Sequence, residues 1–386
     1  MSKRILILLF IPLVLVLLLL AGLQLWFLSY KVADPALAQQ IFERSAASID
    51  ERNQRVDQAA TNGALYLKDP KVVARCTALA DVKKRKPADF KAFEAGLPEL
   101  EKELAKPDFV FKVERDRLDS GPDPVMLRGL VGSLAEYARH LASQGKTSQA
   151  VKLSLLNLEL ASKVMQQGSV VTVMVGVGLE RTAAEPLFEL LRSGKLKDEE
   201  CQEIERRVLA MKLTPAVWLA RADEEYVGFL DFTASGKVGP SSSSSVQQLL
   251  IMTPGFVARE RRIYQRLYLR DRESIEKMKS FEAGGGEVQA LGVNEHAFLV
   301  ATLYPAFDRA QLQFARSLTE MSALQVMARL ERERIRSKKY PAALPGEARD
   351  YLAEDGKFVY QSSGKSYTLK SGYAGKEIEG KSLQFR

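Results

Sequence analysis

Apolar side chains recur at intervals of three and four residues between residues 125 and 167, and this spacing restricts the region to α-helices. Positions three and four apart lie on the same side of a helix, so each segment has one face to bury. The first helix carries such positions at Leu127, Leu130, Val131, Leu134, Ala138 and Leu141. A second helix is predicted over residues 148–167, and its apolar face is formed by Val151, Leu155, Leu156, Leu158, Leu160 and Met165.

The segment between these helices, HLASQGKT at residues 140–147, ends like a phosphate-binding loop. That loop needs the pattern G-x-x-x-x-G-K-[ST] after a buried strand, because both glycines let backbone N–H groups surround the phosphates. Here the first glycine position is His140, within a helical stripe. The segment is therefore predicted to turn at Gly145 in a tetratricopeptide-like (TPR-like) hairpin, with Ala138 and Ala150 where the helices approach each other.

Helical patterning and helix-end signals extend along most of the chain. A polar helix is predicted over residues 35–63, either as a stalk or as a packed first helix, because its apolar positions are sparse. Short exposed helices are predicted within residues 83–106. Further helices are predicted over residues 169–195, from Asp198 with acids in its first turn, and from Pro215 to about Ala234.

Two long helices and then a change of period follow a serine-rich stretch. A charged helix is predicted from Pro254 towards the glycines at 284–286. A last long helix carries an apolar seam of Phe307, Ala310, Phe314, Leu318, Met321, Leu324 and Ala328. The seam lasts only ~3 heptads, so it indicates a core helix rather than a dimer zipper. Alternating residues at 357–371 predict a β-hairpin, and residues 382–385 a third strand.

The amino-terminal region differs from the rest, because residues 5–28 contain no charged side chain. As a helix this run would span ~36 Å, enough for a hydrocarbon layer of ~30 Å. Lys3 and Arg4 precede it, which predicts a single-pass anchor with its amino terminus in the cytoplasm and the body outside. Ala36-Leu37-Ala38 leaves a cleavable signal peptide as the alternative.

Charge and the rare residue types restrict the chemistry. The net charge of +8, on a body outside the cytoplasm, favours anionic lipid or an acidic envelope polymer over nucleic acid. Cys76 and Cys201 are compatible with a disulfide or with two unpaired buried thiols. His140 and His296 lack metal-ligand spacing, so neither a metal nor a cofactor is predicted.

The clearest candidate binding site is RERRIYQRLYLRDR at residues 259–272. On a helix its arginines align at steps of three and four and its two tyrosines share a flank, while Ile263 and Leu267 turn inward. This arginine strip consists of Arg259, Arg262, Arg266, Arg270, Tyr264 and Tyr268. It would bind phosphates, carboxylated glycans or anionic headgroups. The alternative is an ordinary solvated face, since Glu260, Asp271 and Glu273 partly neutralise it.

Acidic residues that could run glycoside chemistry lie close together at Asp223, Glu224, Glu225 and Asp231. A glycosidase needs two carboxyl groups that face each other across a cleft, whereas adjacent acids on one helix point in different directions. A solvated helix face is therefore predicted there. The sequence also lacks the G-x-S-x-G pattern of serine hydrolases, so no catalytic residue is identified.

The carboxyl-terminal order is a long helix, then RSKKYPAALP at 336–345, then DGKFVYQSSGKSYTLKSGYAG at 355–375. This order resembles the end of a type II secretion pseudopilin. It is also similar to the tails of uncharacterised membrane-anchored bacterial proteins whose bodies contain a segment like LASQGKTSQAVKLSLLNLELASKV. The resemblance covers roughly residues 125–212 and 320–375. It implies an anchored helical protein with a pseudopilin-like tail and brings no activity with it.

Together these patterns predict a mainly α protein: an N-terminal transmembrane helix, a multi-helix extracytoplasmic body and a small antiparallel β tail. The predicted units are an anchor at 1–30, a helical body at 31–235, a linker at 236–252, long packed helices at 253–340 and a β tail at 341–386. The expected function is binding or structural, at the inner membrane of a bacterial envelope. Its predicted partners are the lipid bilayer through residues 5–28 and an envelope protein or anionic polymer. An envelope hydrolase and an accessory component of a pilin-like secretion system are the alternatives.

Overall fold

The computed structural model describes residues 34–78, 96–113, 123–167, 170–211, 214–234, 254–276, 298–346, 348–353 and 355–373, together with residues 21, 22 and 94. Within these ranges the chain forms ten α-helices, one 3₁₀ helix and a two-stranded antiparallel sheet near the carboxyl end. The prediction of a mainly helical protein with a small β tail is thereby confirmed.

The helices are α1 Pro35–Arg55, α2 Pro70–Ala78, α3 Leu97–Leu104, α4 Pro124–Ser143, α5 Thr147–Met165, α6 Val170–Ser193, α7 Asp198–Met211, α8 Pro215–Ala234, α9 Pro254–Glu276 and α10 Phe298–Ser337. Short segments connect the helices from α4 to α8. A 3₁₀ helix, Gly63–Lys68, lies between α1 and α2. The strands are β1 Phe358–Ser362 and β2 Tyr367–Ser371.

Several predicted segments lie outside the described residues. These are the anchor at 5–28, apart from Ala21 and Gly22, the linker at 236–252 and the third strand at 382–385. None of the helices within the described ranges combines the length and the apolar character needed to cross a membrane.

The α4–α5 hairpin has the predicted form. Gly145 adopts a φ of 76°, in the left-handed region that glycine enters at little cost. The N–H of Lys146 donates to the carbonyl oxygen of Leu141 at 3.0 Å and closes the end of α4. Ala138 and Ala150 are fully buried, so small side chains do occupy this hairpin. The Gly-Lys-Thr segment is a turn between helices.

Two apolar cores lie along the molecule, and α10 contributes to both. The larger core contains α3 to α7, the second half of α10 and the hairpin. The second contains α1, α8 and α9 with Ala310, Phe314 and Leu318 of α10. A helix of the length of α10 extends ~60 Å. Every seam residue from Ala310 to Ala328 is buried, which confirms the predicted core helix; the side chain of Phe307 is outside the described set.

The first helix is packed rather than a stalk, because Ile41 and Ile49 are fully buried against the second core and its neighbours. It ends at Arg55 instead of near Gly63. Beyond it the side chain of Asn62 binds several main-chain groups, and this replaces helical hydrogen bonds with a compact turn.

The β-hairpin is fastened to α10 by one buried carboxylate. Asp350 accepts hydrogen bonds from Thr319 of α10 at 3.0 Å and from the Ser371 hydroxyl at 2.6 Å. Tyr367 and Leu369 of β2 are buried in the larger core. The tail predicted from alternation is therefore part of the packed body.

Candidate ligand-binding cleft

The arginine strip lies on α9, and packing divides its six residues between the interior and the surface. The Tyr264 ring stacks on Phe229 of α8 with centroids 4.0 Å apart, and the Tyr268 ring stacks on Tyr226 at 4.5 Å. Both tyrosines and Arg259 are buried. Arg259 lies 3.7 Å from Glu260, which is fully buried as well. These three side chains are thus inside the protein, because α9 has neighbours on two sides.

The remaining arginines of the strip stay at the surface. Arg266 is exposed, whereas Arg262 and Arg270 are half-buried. Ile263 and Leu267 point inward, as the spacing predicts. The strip therefore presents a row of guanidinium groups to solvent. The two tyrosines that the sequence suggested as an aromatic flank are not part of this surface.

The acids of α8 do not form the solvated face that was predicted, and that prediction is wrong for Glu224. Its carboxylate receives two hydrogen bonds from the guanidinium of Arg52 in α1, at 3.0 and 2.7 Å. Arg221 donates a third at 2.8 Å. Both carboxylate oxygens are thus used by arginines, an arrangement that joins α1 to α8.

Asp223 is buried on the opposite flank of α8, so the prediction of a solvated face is wrong here too. Its Oδ1 accepts from the hydroxyl of Tyr268 and from Arg272 Nε at 3.2 Å, both on α9. Consecutive acids point in different directions, as expected, but each direction meets another helix. The pair therefore ties three helices together and does not face an open cleft.

Glu225 completes this set at the start of α6. It accepts the backbone N–H of Val170 at 3.3 Å. Burial, together with the neighbouring Glu224, raises the pKa of Glu225 to about 7. The group is positioned to cap the first turn of α6 and is held in place by main chain.

The possible metal ligands and the thiol in the described ranges are not arranged for metal binding or nucleophilic chemistry. No group of three or more possible metal ligands occurs among those residues. The Nε2 atom of His140 accepts from the Gln144 amide at 2.9 Å, at the end of α4. His296 lies outside the described residues. Cys201 is a buried free thiol, and burial raises its pKa to about 12, so it is not a ready nucleophile.

An open cleft of about 360 Å³ lies between α5, α7 and the extended segment after α3, residues 107–113. Its polar wall contains Glu159, Lys163, Gln166, Gln167, Arg206 and Arg207, and Phe109 and Met211 supply apolar surface. No pattern in the sequence indicates this cleft, because its walls come from segments about 40 residues apart or more and none carries a recognisable motif.

The extended segment is held in place by Asn62, whose side chain is fully buried. The amide nitrogen donates to the carbonyl oxygens of Val56 and Val110 at 2.6 and 3.0 Å. The amide oxygen accepts the N–H groups of Ala64 and Val110, both at 3.0 Å. Every hydrogen-bonding position of the amide is occupied, which fixes Phe109 at the edge of the cleft.

Cationic side chains outnumber carboxylates along the lining. Arg207 forms an ion pair with Glu159. Arg206, with a side chain 67% exposed, is held by Glu203 through bonds of 2.8 and 2.9 Å. The Lys163 ammonium lies 5.9 Å from the centroid of the Phe109 ring. Within the described part of the chain, Lys163 forms no ion pair and remains available to a ligand anion.

The inner part of the cleft is fixed by side-chain hydrogen bonds at the ends of α5 and α7. The Ser162 hydroxyl donates to the carbonyl oxygen of Met211 at 3.2 Å. The Gln166 amide donates to the Ser162 hydroxyl at 3.3 Å. Gln166 and Gln167 are half-buried, so their amides can donate and accept towards a ligand.

Comparisons with protein-family models, with curated proteins and with solved structures give no significant match to this chain. The chemistry of the cleft therefore rests on its own residues: ammonium and guanidinium groups for an anion, and amides for a neutral polar group.

Proposed function

We propose that this chain is a membrane-tethered binding protein of the bacterial envelope. Residues 5–28 would hold it in the inner membrane, with the amino terminus in the cytoplasm and the helical body outside. The uncharged run and the preceding Lys3 and Arg4 support this topology. The body would bind an envelope partner and perform no chemistry on it.

The observation that carries the binding role is the cleft between α5 and α7. It is open, it is lined from three separate elements, and its wall has an excess of positive charge. Its volume falls at the lower end of the ~300–1,000 Å³ typical of ligand sites. The helices that form its walls, α5 and α7, are packed into the larger apolar core.

An envelope hydrolase is the weaker proposal. Carboxylate catalysis needs two acids on opposite sides of an open cleft. Asp223 and Glu224 are buried, and both are engaged by arginines. The cleft itself has one carboxylate in its lining, Glu159, and that group is paired with Arg207.

A role beside a pilin-like secretion system is the other proposal, and it rests on the tail. The hairpin follows a long helix and is joined to it through Asp350, which binds Thr319 of the helix and Ser371 of β2. Crosslinking in intact cells, followed by purification of the full chain, tests it. Recovery of secretion-system components would favour this role over that of a free-standing binding protein.

Topology is the decisive first test. Two fusions after Arg386 are compared. One is to alkaline phosphatase, which is active only outside the cytoplasm. The other is to green fluorescent protein, which fluoresces poorly when it is exported. We expect phosphatase activity and little fluorescence. Variants without residues 1–30 should reverse the pattern. Fluorescence from the full chain with an inactive phosphatase would refute the proposal.

A further inference from the structure

We propose that the cleft binds an acidic, extended peptide segment, with a peptide carboxylate on Lys163 and peptide backbone groups on Gln166 and Gln167. This inference rests on the binding role proposed above and names the class of ligand. It states what Lys163, Gln166 and Gln167 would bind, and the structure gives the positions of these side chains.

The carboxylate position follows from the ion pairs of the lining. Arg207 is already paired with Glu159, and Arg206 with Glu203. Lys163 is different, because it forms no ion pair with another described residue, and its ammonium lies 5.9 Å from the centroid of the Phe109 ring. A carboxylate that enters the cleft therefore gains the most electrostatic stabilisation by pairing with this lysine. The apolar ring beside the lysine limits access of water.

The backbone position follows from the amides. A peptide backbone offers an N–H donor and a carbonyl acceptor at almost every residue, and a glutamine side chain matches both. Gln166 and Gln167 lie one and two residues beyond the end of α5, next to the lysine that is one turn earlier. A short extended segment can thus place one side chain on Lys163 and its backbone on the amides.

Glu159 argues for a peptide over a polyanion. A glycan with a carboxylate on every sugar would bring several negative charges towards Glu159 and Glu203. A peptide with one isolated acid presents neutral backbone there, and its N–H groups are donors that Glu159 can accept. The mixed charge of the lining therefore selects a ligand that is acidic at one position and neutral around it.

The experiment uses the purified full chain in detergent micelles and fluorescence anisotropy. The probes are a fluorescein-labelled peptide Gly-Ser-Glu-Leu-Ser-Gly with blocked ends, and the same peptide with Gln in place of Glu. We expect the Glu peptide to bind about fivefold more tightly at low salt, in keeping with one accessible ion pair. The preference should shrink as salt is raised.

Variants separate the site from general damage. Lys163→Gln should remove the preference for the Glu peptide, so that the two affinities become equal. Lys152→Gln is the matched control, because this exposed lysine lies on the same helix and pairs with Glu101 away from the cleft lining. It should leave the fivefold ratio unchanged.

Glu159→Gln should change affinity in the opposite direction. It removes the partner of Arg207 and frees that guanidinium for the ligand, so the Glu peptide should bind two- to fivefold more tightly. A gain of affinity cannot arise from unfolding, which makes this variant informative if Lys163→Gln is unstable.

Three results would overturn the inference: no binding of the Glu peptide, equal binding of the two peptides, or a ratio that Lys163→Gln leaves intact. Stronger binding of polygalacturonate that Lys163→Gln weakens would assign the cleft to an acidic glycan instead. The topology fusions do not depend on any of these measurements, so failure of the peptide assay leaves the proposed tethering testable on its own.

Discussion

Glu180 should make the stability of this protein depend on pH. The side chain lies on α6 and is only 3% exposed. Its Oε1 is hydrogen-bonded to the hydroxyl of Ser317 on α10, and its Oε2 has no hydrogen-bond partner in the described part of the chain. Burial, with a further contribution from the charge of Glu320, raises the pKa of Glu180 from 4.5 to about 8.

The sign follows from proton binding. At pH 7 the folded protein keeps this carboxyl protonated, whereas the unfolded chain ionises it. The contribution of Glu180 to stability is therefore fully present below pH 4.5, decreases as the pH rises, and is lost once the pH passes 8. With ~1.4 kcal/mol per pH unit, the loss between pH 5 and pH 8 amounts to roughly 3–4 kcal/mol.

Glu180→Gln removes the titration while it keeps the shape of the side chain. Urea unfolding at pH 5, 7 and 8 can be followed by the fluorescence of Trp218, which is buried against Phe314. The free energy of unfolding of the variant, relative to the native protein, should rise by roughly 3 kcal/mol across this range. Glu185→Gln, an exposed site on the same helix, controls for the loss of a surface charge.

A constant difference between the Glu180→Gln variant and the native protein from pH 5 to pH 8 would refute the reasoning. It would mean that Glu180 ionises in the folded state as readily as in the unfolded chain. A slope of the opposite sign would also refute it, because it would require that folding lowers the pKa of Glu180.

Two further variants test packing and positioning. Asn62→Leu leaves buried main-chain groups beside the cleft without hydrogen-bond partners. It should lower the free energy of unfolding in urea by about 3 kcal/mol or more and weaken peptide binding. An unchanged urea midpoint would show that Asn62 does not support the cleft. Gly176→Ala would place a Cβ 2.6 Å from the Cβ of Met165, and should cost ~1–3 kcal/mol in thermal unfolding. Gly178→Ala, whose Cβ meets nothing within 4 Å, should be neutral or stabilising, and equal effects would contradict the packing argument.

Local pattern was enough to predict most elements. The start of α8 at Pro215, the end of α4 before Gly145 and the hairpin were read from proline, glycine and period alone. The fold class could be predicted because apolar period and helix ends are properties of one short segment. The end of α1 could not, since the turn that follows it is held by Asn62, whose amide also binds Val110, far along the chain.

The burial of polar residues could not be predicted without the tertiary structure. Asp223 and Glu224 look like a solvated face in sequence, and Tyr264 and Tyr268 like a binding flank. Both sets are interior, because α1 and α9 enclose α8 from two sides and supply arginines and rings as partners. Burial of a charge depends on a partner from elsewhere, and no local pattern contains that partner.

The positions of most helices and of the hairpin follow from local sequence, because each is set by interactions within a few residues. It also carries the uncharged run on which the proposed tether depends. The cleft between α5, α7 and the segment around Phe109, with Lys163 in its wall, is a result of tertiary packing. The physical reason is that a cleft is the space between elements, and its chemistry arises when distant side chains are brought to the same place.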